Sequence, residues 1–385
     1  MTIGYNLDGN GLWQNLVDAL LENGHSLTLV RSEPEYDHTK LENIKENFEV
    51  LSVKTINPFE QNLIKKGISQ ISLASYFKCA IKKYLSNYDF DLILYATPPV
   101  TLASVVKFCK EKYNAKTFLM LKDIFPQNAV DLEMMKKNGL IYKYFRHQEK
   151  RYYEYSDFIG CMSQGNVDYV LKHNPEVNKD KIGLFPNSIR IDENKETIFN
   201  EDKTVFMFGG NLGKPQNIPF LLEVIKKLSD YDKAQFIIVG SGVQKDYIID
   251  FCNKNELPNL TFKEQVPQDE YEDMLCKADV GLISLDPRFT IPNIPSKFQT
   301  YLKLKKPVLA ITDVNTDLRQ IIEKNNCGWW CQSSNYDETI KQIIYICEHK
   351  KDHISKGING FYLLKEEYDI SSNVEFLDRF IKNHG

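Results

Sequence analysis

Short apolar runs alternate along this chain with longer stretches whose apolar positions recur at helical spacing. Met1–Asn6 reads as a strand through Ile3 and Tyr5, followed by a Gly9-Asn10-Gly11 turn. Leu12, Leu16, Ala19 and Leu20 then fall on one face of a helix, which Gly24 ends before a strand at Ser26–Val30. The unit recurs with a strand at Leu92–Tyr95, a Thr97-Pro98-Pro99 turn, a helix through Val105 and Phe108, and a strand at Thr117–Leu121. Phe158–Met162 and Ile182–Phe185 read as the last strands of this half. Strands alternating with helices predict a parallel sheet covered on both faces.

The polar stretch Arg190–Lys203 reads as a linker. Beyond it the pattern predicts strands at Val205–Phe208, Gln235–Val239, Leu260–Phe262, Val280–Leu285 and Val308–Ile311. Helices are predicted at Phe220–Leu228, Asp269–Lys277, Lys297–Leu304 and Asn335–Cys347. The fold class is therefore α/β, with two Rossmann-like doubly wound parallel-sheet domains in tandem. Ligands of such sheets sit at the carboxyl ends of the strands, here expected in a cleft between the domains.

Composition narrows the classes. With 385 residues the chain exceeds what one core usually serves, and a net charge of -4 excludes a global basic field for nucleic acid. No apolar run is long enough to span a bilayer, and the N-terminus carries no signal peptide pattern. The eight cysteines are scattered without a C-x-x-C pair, and Cys327 and Cys331 flank Gly328-Trp329-Trp330 without further ligands nearby. Reduced thiols in a cytosolic protein are the expectation. The seven histidines show no H-x-x-x-H spacing, so no metal is predicted.

Three places carry candidate chemistry. Gly209-Gly210-Asn211-Leu212-Gly213-Lys214 joins a strand to a helix, where glycine lets a backbone approach a phosphate. A tight turn without ligand reads equally from the glycines alone. Ser296-Lys297-Phe298-Gln299 opens a helix after three prolines, and Ser296 with Gln299 has the spacing of a capping box. Lys297 opposes the helix dipole there, a cost that a bound diphosphate would offset. Lys122-Asp123 follows a strongly apolar strand, either as turn residues or at a site. Two basic segments complete the inventory. Lys136–Arg151 has six Lys or Arg against one Glu, and Phe59–Tyr84 has Lys65, Lys66, Lys78, Lys82 and Lys83 among apolar residues. Each reads as a helix facing an anionic membrane or one facing its own core.

These segments together resemble glycosyltransferase family four, nearly end to end, and that resemblance implies the GT-B architecture of two facing Rossmann-like domains. Phe208-Gly209-Gly210-Asn211-Leu212 is similar to the family's phosphate loop, and Phe236–Gly242 to its central strand and turn. Val266-Pro267 with Asp269-Glu270-Tyr271 and Ala278–Leu282 follows the pattern around the base. Pro295-Ser296-Lys297-Phe298 leading to Tyr301-Leu302 and Lys306–Ala310 resembles the diphosphate-binding helix and the strand behind it. Pro186-Asn187-Ser188 matches the end of a first domain. The implied domains are residues 1–188 for the acceptor, 189–365 for the nucleotide sugar, and a returning terminal helix at 366–385.

Thr97-Pro98-Pro99 and Lys122–Val130 resemble the bacterial O-antigen and capsule branch, including L-fucosamine transferases. The chain departs from the family where paired glutamates are replaced by Pro292 and Thr300, an arginine by Asn211 and a lysine by Gln216. The first-domain histidine has no counterpart, and Lys122-Asp123 falls in its place.

The resemblance implies a retaining, metal-independent transferase that needs no cofactor, with a nucleotide-sugar donor (UDP-linked) and a lipid-linked saccharide acceptor. It implies Asp123, Lys122 and Lys297 as catalytic residues. Gly9, Gly11, Gly210, Asn211, Lys214, Gly240, Val266, Ser296, Lys297, Phe298 and Thr300 are the implied donor contacts. Its place would be the cytoplasm, with peripheral contact at the inner membrane face through Lys136–Arg151 and Phe59–Tyr84. A nucleotide-sugar 2-epimerase of the same layout, or a binding subunit without catalysis, are the alternatives.

Overall fold

The computed structural model describes residues 1–3, 12–56, 63–191, 195 and 197–382. They form two compact units, Met1–Pro186 with Ile370–Gly385, and Asn187–Asp369. The chain thus leaves its first unit after Pro186 and re-enters it at Ile370.

The first unit contains β1 (Thr2–Ile3), β2 (Leu27–Ser32), β3 (Lys40–Lys45), β4 (Phe48–Val53), β5 (Leu92–Ala96), β6 (Lys116–Leu121), β7 (Phe158–Cys161) and β8 (Ile182–Leu184). They lie in the order β3-β4-β2-β1-β5-β6-β7-β8. All neighbours are parallel except β3 and β4, which pair antiparallel with a register shift between Asn43 and Lys45. That edge departs from the all-parallel sheet expected. β3 is exposed over Asn43–Lys45, a polar edge of the kind that resists further pairing.

The helix Leu12–Glu22 closes as its sequence predicts. Gly24 takes φ 85°, the His25 amide donates to Leu20 O at 3.1 Å, and the Gly24 amide donates to Leu21 O at 3.0 Å. Against this helix packs the C-terminal one, Ile370–Lys382, and His25 Nε2 meets Asp378 Oδ1 at 2.7 Å. Phe376 and Phe380 of the C-terminal helix close on the Phe118 and Phe158 rings.

The second unit holds β9 (Thr204–Asn211), β10 (Ala234–Ser241), β11 (Leu260–Lys263), β12 (Val280–Ser284), β13 (Val308–Thr312) and β14 (Gly328–Gln332). Their order is β11-β10-β9-β12-β13-β14 and every pairing is parallel. β12 and β13 are buried at every position, because helices cover both faces of the sheet. β14, which carries Trp329, Trp330 and Cys331, was not among the expected strands. Neither were the helices Lys245–Lys254, Leu318–Lys324 and Lys351–Glu367.

The seven-residue helix Lys297–Lys303 is too short to hold itself, and Lys351–Glu367 backs it directly. A Cβ on Gly357 would sit 1.9 Å from Lys305 O, and one on Gly360 would sit 2.8 Å from Leu302 Cδ2. At Gly357, where the obstacle is backbone, only glycine permits that approach.

The stretch Arg190–Lys203 is not a free linker. Among its described residues, Ile198 N donates to Cys276 O at 3.1 Å, and Lys195 Nζ reaches Asp273 Oδ1 at 2.9 Å. Asp279, buried, accepts from Asn200 N at 2.7 Å, Asn200 Nδ2 at 2.9 Å and Val205 N at 2.7 Å. Buried Lys306 donates to Ile198 O at 3.1 Å and Cys276 O at 2.8 Å. Polarity here marks a strap held by its own backbone, since each of these groups needs a buried partner. Asp279→Asn turns one acceptor oxygen into a donor facing donors. It is expected to cost the second unit about 3 kcal/mol in urea unfolding followed by tryptophan fluorescence.

Candidate active site

In the second unit the strand order reverses beside β9, which has β10 on one side and β12 on the other. A crevice opens at the carboxyl ends of the strands at such a point. Gly209, Gly210 and Asn211 are the last residues of β9, not the turn expected of them, and Gly210 and Asn211 are exposed. Gly210 takes φ 116°, a conformation that side chains disfavour. A Cβ on Gly240, its partner across β10, would lie 1.9 Å from Gly210 O. The glycines therefore bring two strand ends together and leave bare backbone at the crevice. Gly209 has a different reason, because the Tyr271 ring fills the space a side chain would take, 2.1 Å from an added Cβ.

The turn proper spends some of its amides internally. Leu212 N donates to Ser241 O at 2.7 Å and Gly213 N to Gln216 Oε1 at 3.1 Å. Gln216 is thus a cap within the turn. Lys214 is exposed at the start of the turn Lys214–Gln216.

Lys297 stands at the start of its helix, between β12 and β13 in the chain. Its ammonium lies over the Phe208 ring, 3.6 Å from the centroid, and both Cε and Nζ lie 3.9 Å from the position of a Gly210 Cβ. The side chain therefore crosses from the helix to the end of β9. Burial pushes Lys297 down to about 7. The aromatic face offsets part of that desolvation. This geometry replaces the dipole argument: the charge is directed at a ring and a bare strand end.

The expected capping box is not formed. Ser296 has φ -59° and ψ -23°, already helical, and its side chain makes no cap hydrogen bond. A capping side chain needs an extended backbone to fold back on the third amide. Ser296 is left exposed, while Gln299 is fully buried with neither amide atom hydrogen-bonded. On a helix Gln299 projects roughly opposite Lys297, two positions away, and so serves a different surface. Phe298 is fully buried against Tyr368, and its amide donates to Pro295 O at 3.0 Å. Thr300 and Val266 are half-buried. Gly9 and Gly11 lie outside the described residues.

Two features escaped the sequence reading. Asp286, after β12, is buried and takes Arg288 in a bidentate pair at 2.9 and 2.8 Å. Its amide donates to Pro215 O at 2.8 Å, tying the loops after β9 and β12 together. Their D-x-R spacing was the only signal. Phe208 beneath Lys297 had none, because the contact spans distant strands.

In the first unit, Lys122 and Asp123 follow β6 beside the turn after β5. Thr97 Oγ1 donates to Asp123 O at 2.9 Å, and Asn128 Nδ2 donates to Asp123 Oδ2 at 2.6 Å. Burial raises Asp123 to about 6 against the pull of Asn128, and lowers Lys122 to about 7. Lys122 Nζ lies 5.8 Å from the Phe185 ring centre. Two half-buried titratable groups at strand ends make a candidate acid-base pair of residues.

The basic segment Phe59–Tyr84 turns an apolar face into the first unit where it is described. In the helix Leu63–Tyr84, Leu73, Phe77, Ala80 and Ile81 are buried in the first unit, and Lys82 lies over the Phe108 ring. Residues 59–62 fall outside the described part.

Residues 190–359 match the family of glycosyl transferases group 1. The probable glycosyltransferase WbjE of Pseudomonas aeruginosa is 24% identical over 300 residues, covering 75% of this chain and 74% of that protein. The putative colanic acid biosynthesis glycosyl transferase WcaI of Escherichia coli K12 is 19% identical over 336 residues, covering 80% of each. The structure of HepE from Anabaena in complex with UDP superposes with a TM-score of 0.69 at 11% identity, over 99% of both chains. With two Rossmann-like sheets, the reversal at β9 and this match through the second unit, the chain is a glycosyltransferase of GT-B fold whose residues 190–359 are similar to the group 1 family.

Proposed function

We propose that the enzyme moves a sugar, of the N-acetylated 6-deoxyhexosamine kind, from a UDP-linked donor to a lipid-linked saccharide during capsule or O-antigen assembly. The observation that carries the donor reading is Lys297, a desolvated cation over Phe208 beside the bare backbone of Gly210. A diphosphate supplies the charge that this ammonium lacks. Ser296, exposed and uncapped, and Lys214, exposed after β9, complete a phosphate-binding set without a metal. The UDP seen with HepE and the polysaccharide named for WcaI support the donor and product classes.

In the step itself the acceptor oxygen bonds to the anomeric carbon while the bond from that carbon to the phosphate oxygen breaks. The electron pair leaves with the diphosphate, and one of its oxygens takes the acceptor proton. The new bond forms on the face the diphosphate leaves, which retains configuration. Lys297 stabilises the charge that develops on the leaving group. Asp123, ionised above about 6, orients the acceptor hydroxyl, and Lys122, desolvated next to it in the chain, is the second catalytic residue of the first unit.

Lys297→Met is expected to lower kcat/KM with the UDP-sugar by roughly a hundredfold or more while the fold stays intact. Its effect on stability has a definite sign. The folded pKa of about 7 lies below the unfolded value of 10.5, so the charged lysine destabilises the empty protein fully below pH 7 and progressively less toward 10.5. Thermal melting should therefore show Lys297→Met more stable than the parent at pH 6, with the difference shrinking as pH rises. A variant with full activity would remove the donor reading.

The kcat/KM profile of the parent enzyme should be bell-shaped, with an acid limb near 6 from Asp123 and a basic limb near 7 from Lys297. Asp123→Asn is expected to abolish the acid limb and leave the basic one. Persistence of both limbs in that variant would reassign Asp123.

A further inference from the structure

The segment Lys136–Arg151 divides into two halves with different fates. In the helix Leu140–Tyr155 the later cations are spent inside the first unit. Arg146 pairs with Glu149 at 2.8 Å and donates to Asn174 Oδ1 at 2.6 Å, and Lys150 meets Glu176 at 2.9 Å. Tyr152 and Tyr153 are buried, and Tyr152 Oη donates to Pro99 O at 2.7 Å. That end is a root fixed in the fold.

The other end is a tip. Met134 is 64% exposed, Leu140 86% and Ile141 65%. Lys136, Lys137 and Lys143 are exposed around them and form no ion pair with any described residue. The tip is built, because Met134 N donates to Ala129 O at 2.8 Å, Gly139 N to Lys136 O at 3.1 Å and Lys143 N to Gly139 O at 2.9 Å. Glu133 and Asn138 take positive φ of 57° and 65° to shape it. The first turn of the helix has no acidic residue, so its dipole adds positive potential to the three lysines.

We infer that this tip is an anchor for an anionic phospholipid bilayer. Leu140, Ile141 and Met134 enter the headgroup boundary, and Lys136, Lys137 and Lys143 lie against lipid phosphates. A second copy of the chain fits poorly, since the same three cations would face each other across a two-fold axis. The inference sharpens the membrane contact expected of the whole segment: the tip carries it, and the length of the helix does not. It draws its purpose from the proposed lipid-linked acceptor, but lipid binding is measured without donor or acceptor.

The test is cosedimentation of the full chain with vesicles of phosphatidylcholine alone and of phosphatidylcholine mixed with phosphatidylglycerol. The parent is expected to bind only the anionic vesicles. The pair Leu140→Ser and Ile141→Ser should weaken binding on the order of a hundredfold. Lys136→Gln with Lys137→Gln should weaken it roughly thirtyfold. Lys78→Gln, on the other basic helix, should leave it unchanged. Turnover of a water-soluble acceptor should be the same in the parent and the serine pair, which shows the variant folded. That assay also keeps a failed anchor distinct from a failed transferase reading. Equal binding to neutral vesicles, no binding by the parent, or undiminished binding by the tip variants would overturn the inference. So would self-association of the parent in sedimentation velocity that the serine pair abolishes.

Discussion

A right-handed crossover can set the next strand on either side of the first, and the second unit uses both sides of β9. Helices then pass on opposite faces, and the carboxyl end of the strand where they part is left exposed at Gly210 and Asn211. The glycines and Lys297 at this end of the second unit follow from that geometry. β9 ends in glycines because β10 must approach it closely there, and the backbone so exposed can face a phosphate. Lys297 starts the helix that follows β12, so its reach ends over β9 and on the ring of Phe208.

Charge is placed in both units with little compensation. A lysine deprived of water and of any carboxylate sacrifices stability, and proteins retain such groups where a ligand supplies the missing partner. Lys297 of the second unit has that character. Lys306, more deeply buried, does not, because it donates to two carbonyls and holds a strap in place. The same residue type thus stands without a protein acceptor in one position and is fully used by the fold in another. What separates them is whether the protein itself supplies the acceptors.

Much of the fold was legible because parallel strands buried on both faces must read as continuous apolar runs. β5, β6, β12 and β13 announce themselves in this way. β3 does not, since its Lys-Leu-Glu-Asn-Ile-Lys run is an exposed edge with two apolar residues. At the site, glycine and lysine positions were visible locally, but their partners were not. Phe208 under Lys297 and Tyr271 against Gly209 are contacts made by topology. The capping box failed for a local reason that composition hides: Ser296 had already turned helical, so its hydroxyl could not reach back. A polar stretch also misled, because the described part of Arg190–Lys203 is held through its backbone by Asp279, Cys276 and Lys306.

The helix that carries Lys297 is positioned from behind. Gly357 and Gly360 admit Lys351–Glu367 to within backbone contact of Lys305 and to van der Waals contact with Leu302. Any side chain larger than hydrogen at Gly357 would push the short helix forward by more than the tolerance of a hydrogen bond. The aim of the lysine is therefore written some sixty positions downstream of it, on a helix with no chemistry of its own. In a population of variants, Gly357 would behave like a site residue, silent in every assay of composition yet as intolerant of change as the cation it aims.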